Sequence, residues 1–141
     1  MTNILPTGYA LRETADPVAA HAFLTGSYWA EGIPFKTVER AIAGSFVVSI
    51  VHGADQVAMA RLVTDYATFA YLADVYVLDG HRRQGLAEAM LGHLQSHPRL
   101  QGLRRWMLAT KDMHPVYAKM GWEPLLRPER IMERLFLDVY G

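Results

Sequence analysis

The sequence predicts a mixed α/β fold on a largely antiparallel sheet with one parallel crossover. Three observations predict it. Two neighbouring β-type runs flank a short glycine-containing turn, the pattern of an antiparallel hairpin. A long apolar run ends in a polar turn and passes at once into an amphipathic helix. A further apolar strand follows that helix, and strand, helix, strand in this order makes a parallel crossover.

Each element has its own local reason. Residues 9–13 (YALRE) alternate weakly and form a first strand. Asp16 then stands as N-cap before Pro17, which is pre-set for a first helical turn. Val18, Ala22 and Phe23 carry this helix to about Thr25, and Gly26 stops it. An aromatic loop follows (SYWAEGIPF), broken by Gly32 and Pro34, then a short helix over residues 36–43 that ends at Gly44. The hairpin pairs residues 45–51 with 56–65 around HGAD. Residues 68–78 (TFAYLADVYVL) are nearly all apolar or aromatic, so this strand is expected to be buried on both faces. From Gly85 to about His97, Leu86, Ala87, Met90, Leu91 and Leu94 mark one helical face, closed by Pro98. Residues 103–110 (LRRWMLAT) read as a strand, and Pro115 and Gly121 bracket a helix of barely two turns. The tail, WEPLL and IMERLFLDVY, is expected to add two closing strands.

The totals narrow the function. A chain of 141 residues suits one domain, 1–141, and can bury a sizeable core without a disulfide or metal. Fourteen basic side chains balance fourteen acidic ones, so nothing in the global field favours nucleic acid or a membrane surface. Cysteine is absent, which excludes thiolate nucleophiles and Cys-ligated zinc and fits a reducing compartment. No basic-then-apolar leader and no apolar run of ~20 residues is visible, so a cytoplasmic location is expected.

The chemistry is concentrated in VYVLDGHRRQGLAEAML. The first N–H groups of a helix lack internal partners, and the aligned peptide dipoles add positive charge there. A strand-turn-helix junction is therefore an anion cradle. Gly85 permits close approach and a positive φ, Ala87 keeps the next turn small, and Arg82 and Arg83 add cations suited to a diphosphate.

Arg82-x-x-Gly85-x-Ala87 resembles the Q/R-x-x-G-x-G/A acetyl-coenzyme A signature of the GCN5-related N-acetyltransferase (GNAT) superfamily. The element order is similar to that fold over essentially the whole chain. MHPVYAKMGW (113–122) is similar to the family's late YEKLGF segment, with Tyr117, Gly121 and Trp122 in register.

The resemblance implies acetyl-CoA as co-substrate, held in a V-shaped cleft between two splayed parallel strands, here residues 68–78 and 103–110. Backbone of Val75, Tyr76 and Val77 would pair with the pantetheine arm, and a late N–H on that strand would polarise the thioester carbonyl. The amides of Arg82, Arg83, Gln84, Gly85, Leu86 and Ala87 would hold the pyrophosphate. Asp112 stands where many relatives carry a pantetheine-binding asparagine, and an ionised carboxylate cannot donate that bond. Tyr117 occupies the place of the family's tyrosine that protonates the departing sulfur.

An alkyl ammonium must lose a proton before it attacks, so a base or water relay is required. Asp74, a carboxylate inside an apolar strand, is the first candidate; equally, it is a structural carboxylate bonded to an arginine such as Arg61. Asp65, at the end of its strand, is the second. Tyr28, Trp29 and Glu31 would overhang the acceptor side and suit a cationic or hydrophobic amine, or else form a lid packed on the domain. His93 and His97 have the four-residue spacing of metal ligands, but no third ligand is evident, so they are placed at an exposed helix end and no metal is expected.

The resulting expectation is an acetyl-CoA-dependent N-acetyltransferase acting on a small-molecule or peptide amine by direct attack in a ternary complex. The alternative is a non-catalytic acetyl-CoA sensor or interaction module on the same fold. Dimers are frequent in the family, so a homodimer is an open expectation.

Overall fold

The computed structural model describes residues 4–141. Five strands form one sheet in sequence order: β1 (Tyr9–Arg12), β2 (Phe46–His52), β3 (Asp55–Thr64), β4 (Phe69–Val77) and β5 (Arg105–Leu108). The first three junctions are antiparallel, and β4 pairs with β5 in parallel. Helices α1 (Pro17–Leu24) and α2 (Phe35–Ala43) lie between β1 and β2. Helix α3 (Leu86–Ser96) makes the crossover from β4 to β5, and α4 (His114–Lys119) follows β5.

Local signals account for the boundaries. The Asp16 side chain accepts a hydrogen bond from the Val18 N–H and so caps α1. The chain exits α2 at Gly44. Each sheet face has its own core. Leu86, Met90, Leu91 and Leu94 of α3 pack with Val48, Ile50, Leu62 and Leu72. Ala20, Leu24 and Val38 of α1 and α2 pack with Met59 and Tyr76 on another cluster. Tyr76 stacks on Phe23 with ring centroids 4.2 Å apart and accepts a hydrogen bond from Gln56 at 3.1 Å.

Two expectations are corrected. β4 is not buried on both faces throughout: Tyr71, Ala73, Asp74 and Val75 are only half covered, because this part of the strand borders a cleft. The two closing strands are also absent. Residues after Trp122 contain only a 3-10 turn at Pro128–Arg130 and irregular backbone. Pro124 and Pro128 each lack an N–H for a ladder, and no described strand lies alongside this segment to pair with it.

His93 and His97 do not stand free at a helix end. Both Nε2 atoms lie near Glu13 Oε2, at 2.7 and 3.2 Å. The Arg99 N–H donates to Nδ1 of His97, which leaves that ring's proton on Nε2, directed at the carboxylate. The hydrogen bond from His93 is the main reason the Glu13 carboxyl is held below its ordinary pKa. The trio clamps the exit of β1 to the end of α3, and a partner eighty positions away has no signature in sequence spacing.

Candidate active site

The cleft originates in the register of β4. Between the pairs Met59–Tyr76 and Arg61–Ala73, β4 holds one residue more than β3, a bulge at which Asp74 takes φ +52°. A bulge bends its strand and re-aims the side chains beyond it. β4 pairs with β5 only from Phe69 to Leu72, against Arg105–Leu108. From Ala73 to Val77 it continues without a neighbour on that side. The parallel strands thus part at the bulge and open a V. The resulting cleft measures about 1010 Å³, a volume that suits a large ligand together with a second reactant.

At the end of β4 the chain makes a 3-10 turn (Asp79–His81), then a tight bend into α3. Arg83 has φ +63° and Gly85, the N-cap, has φ +76°. The positive φ is what Gly85 supplies, since a Cβ there would meet nothing within 4 Å. The backbone N–H groups of residues 83–88 have no hydrogen-bond acceptor among the described residues; the first α3 bond is from the Ala89 N–H to the Gly85 carbonyl. Arg83, Gly85, Leu86, Ala87 and Glu88 line the cleft. A run of unpaired amides on a helix N-terminus, beside open space and with no side chain in the way, fits a diphosphate.

Not every residue expected at this turn serves it in the same way. The Arg82 guanidinium is already occupied, pairing with Asp79 at 2.8 Å and donating to the Val77 carbonyl at 3.0 Å. It braces the turn. Gln84 is exposed and is not among the residues that line the cleft. Val75, Tyr76, Val77 and Asp112 do line the cleft, although the Tyr76 ring is committed to the core of α1 and α2.

Tyr117, on α4, lines the opposite wall, and its hydroxyl has no partner among the described residues. Burial pushes its pKa up, and the Tyr28 phenol nearby adds to the shift. The group therefore stays protonated at neutral pH, as a proton donor must.

Asp74 reaches the cleft with both oxygens engaged. Oδ2 accepts from Arg61 Nε at 2.8 Å and Oδ1 from Trp29 Nε1 at 3.0 Å. Arg61 also donates to Ser45, whose hydroxyl bonds the Ala41 carbonyl of α2. Asp74 thereby fixes the aromatic loop over the cleft. Within that loop, buried Ser27 bonds the Leu24 carbonyl and the Ala30 N–H, and Gly32 closes it by donating to Thr25. Tyr28 and Trp29 line the cleft, edge to face.

Two expected acceptor-side residues are misplaced. Glu31 is exposed and not on the cleft wall. Asp65 sits in the β3–β4 turn, away from the cleft. Its Oδ1 accepts from the N–H groups of Ala67, Thr68 and Phe69 and its Oδ2 from the Thr68 hydroxyl. Those bonds, led by the Thr68 hydroxyl, hold its carboxyl far below the usual range, so it is a turn anchor and a poor base. Two further residues reach the wall, His81 from the turn itself and Tyr140 from a segment whose spacing gives no such signal. His81, bonded through Nδ1 to the Tyr9 hydroxyl at 2.8 Å, lies beside the phosphate turn, and Tyr140 reaches the cleft from the chain's far end.

Splayed parallel strands ending in a helix N-terminal turn with open amides, with a tyrosine lining the same cleft, are the arrangement that the sequence resemblance implies for an acyl-CoA-type transferase. Comparison with known proteins places the chain within that class. The family model for the acetyltransferase (GNAT) family matches residues 9–122, and the chain belongs to that family, whose members use acetyl-CoA. A crystal structure of a candidate GNAT-family acetyltransferase from Xanthomonas campestris pv. campestris is similar at 40% identity and TM-score 0.92. It covers 97% of this chain and 99% of its own, so the likeness extends into the residues after Trp122. A candidate acetyltransferase of Gibberella zeae is 43% identical over 68 residues, 46% of this chain and 37% of that protein's own length. Glucosamine-6-phosphate N-acetyltransferase from Arabidopsis thaliana shares the fold at TM-score 0.64 and 14% identity, covering 92% of this chain and 99% of its own.

Proposed function

We propose that this protein is an acetyl-CoA-dependent N-acetyltransferase that acylates a primary amine directly, within a ternary complex. The observation that carries this reading is the run of unpaired amides at residues 83–88, of which Arg83, Gly85, Leu86, Ala87 and Glu88 line the cleft. When bound, acetyl-CoA supplies an acyl carbonyl activated by a thiol leaving group. The chain's own residues do the rest. The N–H groups of residues 83–88 bind the diphosphate, and the unpaired stretch of β4 after Leu72 offers backbone partners to the arm between nucleotide and thioester.

Tyr117 donates its phenolic proton to the departing sulfur. The ammonium proton leaves through water, which Asp74 holds with the lone pairs that Arg61 and Trp29 leave free. The ammonium nitrogen gives up two protons, one before attack and one as the amide forms. One of them restores the Tyr117 phenol after it protonates sulfur and the other is released to solvent, so the products are an amide, a free thiol and one proton. With no cysteine in the chain, an acyl-cysteine relay is excluded. Tyr28 and Trp29, held over the cleft by Asp74, form the acceptor side and favour an amine bearing a cationic or apolar body. The protein is read as a cytoplasmic enzyme for small-molecule or peptide amines.

The direct test is thiol release from acetyl-CoA across a broad panel of amines. Stoichiometric thiol and acetylated amine are expected for a subset of the panel. Binding of coenzyme A without turnover of any amine would replace the enzyme by a non-catalytic binding module.

A further inference from the structure

The cleft has two walls of different character. The segment from the β4–α3 turn to α4 contributes one, and it carries His81, Arg82, Arg83, Glu88 and Asp112. The other is built from α1, the aromatic loop, α2 and β4. In α2, Ala41 and Ile42 follow Thr37 and Val38 by one turn, so the four form a stripe along one helical face, and all four line the cleft. Of the cleft-lining residues from 23 to 77, Arg61 and Asp74 alone are charged. Those two neutralise each other at 2.8 Å, with side chains only 19% and 12% exposed.

An aromatic pair alone admits an amine with either a cationic or an apolar body. The rest of this wall chooses between them. Lys111 places its Nζ 5.4 Å from the centroid of the Tyr28 ring, so a cation already stands over that face. The Trp29 indole N–H is spent on Asp74. Glu31, which could have supplied a second carboxylate, is exposed and off the wall. Asp74 can still serve the reacting nitrogen through water, but it is the one carboxylate here. A second ammonium farther along the wall would meet aliphatic side chains and no counter-charge, and an uncompensated cation is costly to desolvate. An alkyl or aryl body instead buries its apolar surface against Ile33, Ala41 and Ile42.

We propose that the acceptor is a primary amine carried on a single uncharged apolar body, alkyl or aryl, seated against the aromatic loop and the α2 stripe, and that amines bearing a second cation are rejected. The inference rests on the transferase reading and narrows its acceptor. It removes polyamines and lysine-rich peptides from the amines that reading leaves open.

Hexylamine and hexamethylenediamine test it, because they match in length and differ by one ammonium. From thiol release, kcat/KM should favour hexylamine by at least about a hundredfold. Ala41→Phe fills the stripe and should cut kcat/KM for hexylamine at least about tenfold. Thr37→Asp adds a carboxylate in the first turn of α2, where the helix dipole favours it, and should shrink the preference for hexylamine at least about tenfold. Coenzyme A affinity, which uses the other wall, should be unchanged in both variants and reports that each is folded. The same two amines titrated by calorimetry into protein saturated with coenzyme A separate the inference from the reading it rests on. Hexylamine bound in preference to the diamine, with neither acetylated, would uphold the pocket and defeat the transferase. Preference for the diamine, no preference, hexylamine that neither reacts nor binds, or a selectivity that both variants leave unchanged would each overturn the proposal, and acetylation of the diamine alone would do so while upholding the transferase.

Discussion

Two turns of this molecule use the same materials to opposite ends. The β3–β4 turn and the β4–α3 turn are both polar, and each forces a non-glycine residue to φ +63°, Tyr66 in one and Arg83 in the other. In the first, the Asp65 carboxylate collects three successive backbone N–H groups, and the turn is closed on itself. In the second, the N–H groups of residues 83–88 are left without acceptors beside a cleft. Unpaired backbone donors are tolerated in a folded protein only where water or a ligand completes them. A turn that satisfies its own amides is structural, and one that leaves them open is built for a visitor.

That contrast can be broken most sharply at Gly85. Gly85→Val places a β-branched residue at φ +76°, a conformation costing roughly 1–2 kcal/mol for ordinary residues, and puts its methyls in the space a diphosphate would use. Coenzyme A affinity should fall by more than about tenfold in calorimetry. Unchanged affinity would show that the open amides are not the binding element.

Tyr117→Phe sharpens the comparison from the far wall of the cleft. It removes a proton donor and leaves the phosphate turn untouched, so kcat should fall about a hundredfold while coenzyme affinity stays within twofold. Full turnover in the variant would remove the phenol from the reaction.

The smallest expected effect is at the closed turn. Asp65→Asn should lower the melting temperature modestly at neutral pH and leave coenzyme affinity unchanged. The carboxyl's pKa is depressed in the folded state, so its contribution is complete above the ordinary carboxylate pKa and is lost only as pH falls well below it. The stability gap between wild type and Asp65→Asn should therefore persist at pH 5 and narrow toward strongly acid pH in thermal melts. A gap that widens with acid would contradict the turn's assignment.

Much of this was legible in the sequence where the cause is local. Asp16 before Pro17, the Gly85 bend and the apolar face of α3 are written in neighbouring residues, and each is where the spacing predicts. What was not legible depends on partners far along the chain. The bulge at Asp74 is a mismatch between two strands, and the engagement of its oxygens by Arg61 and Trp29 joins three separate segments. Glu13 meeting His93 and His97, and Tyr140 reaching the cleft, are of the same kind. Asp65 misled for the converse reason, because a carboxylate at a strand end reads as available until its turn is seen to consume it. The tail carries a strand pattern that the single chain does not use.

The central claim is that the amides of residues 83–88 receive the coenzyme's phosphates. Amide NMR during titration with coenzyme A tests it most directly. The largest and earliest shifts should fall on residues 83–88, with those of Ala67, Thr68 and Phe69 unmoved. Saturable binding that leaves residues 83–88 unperturbed, or no binding at all, would contradict it.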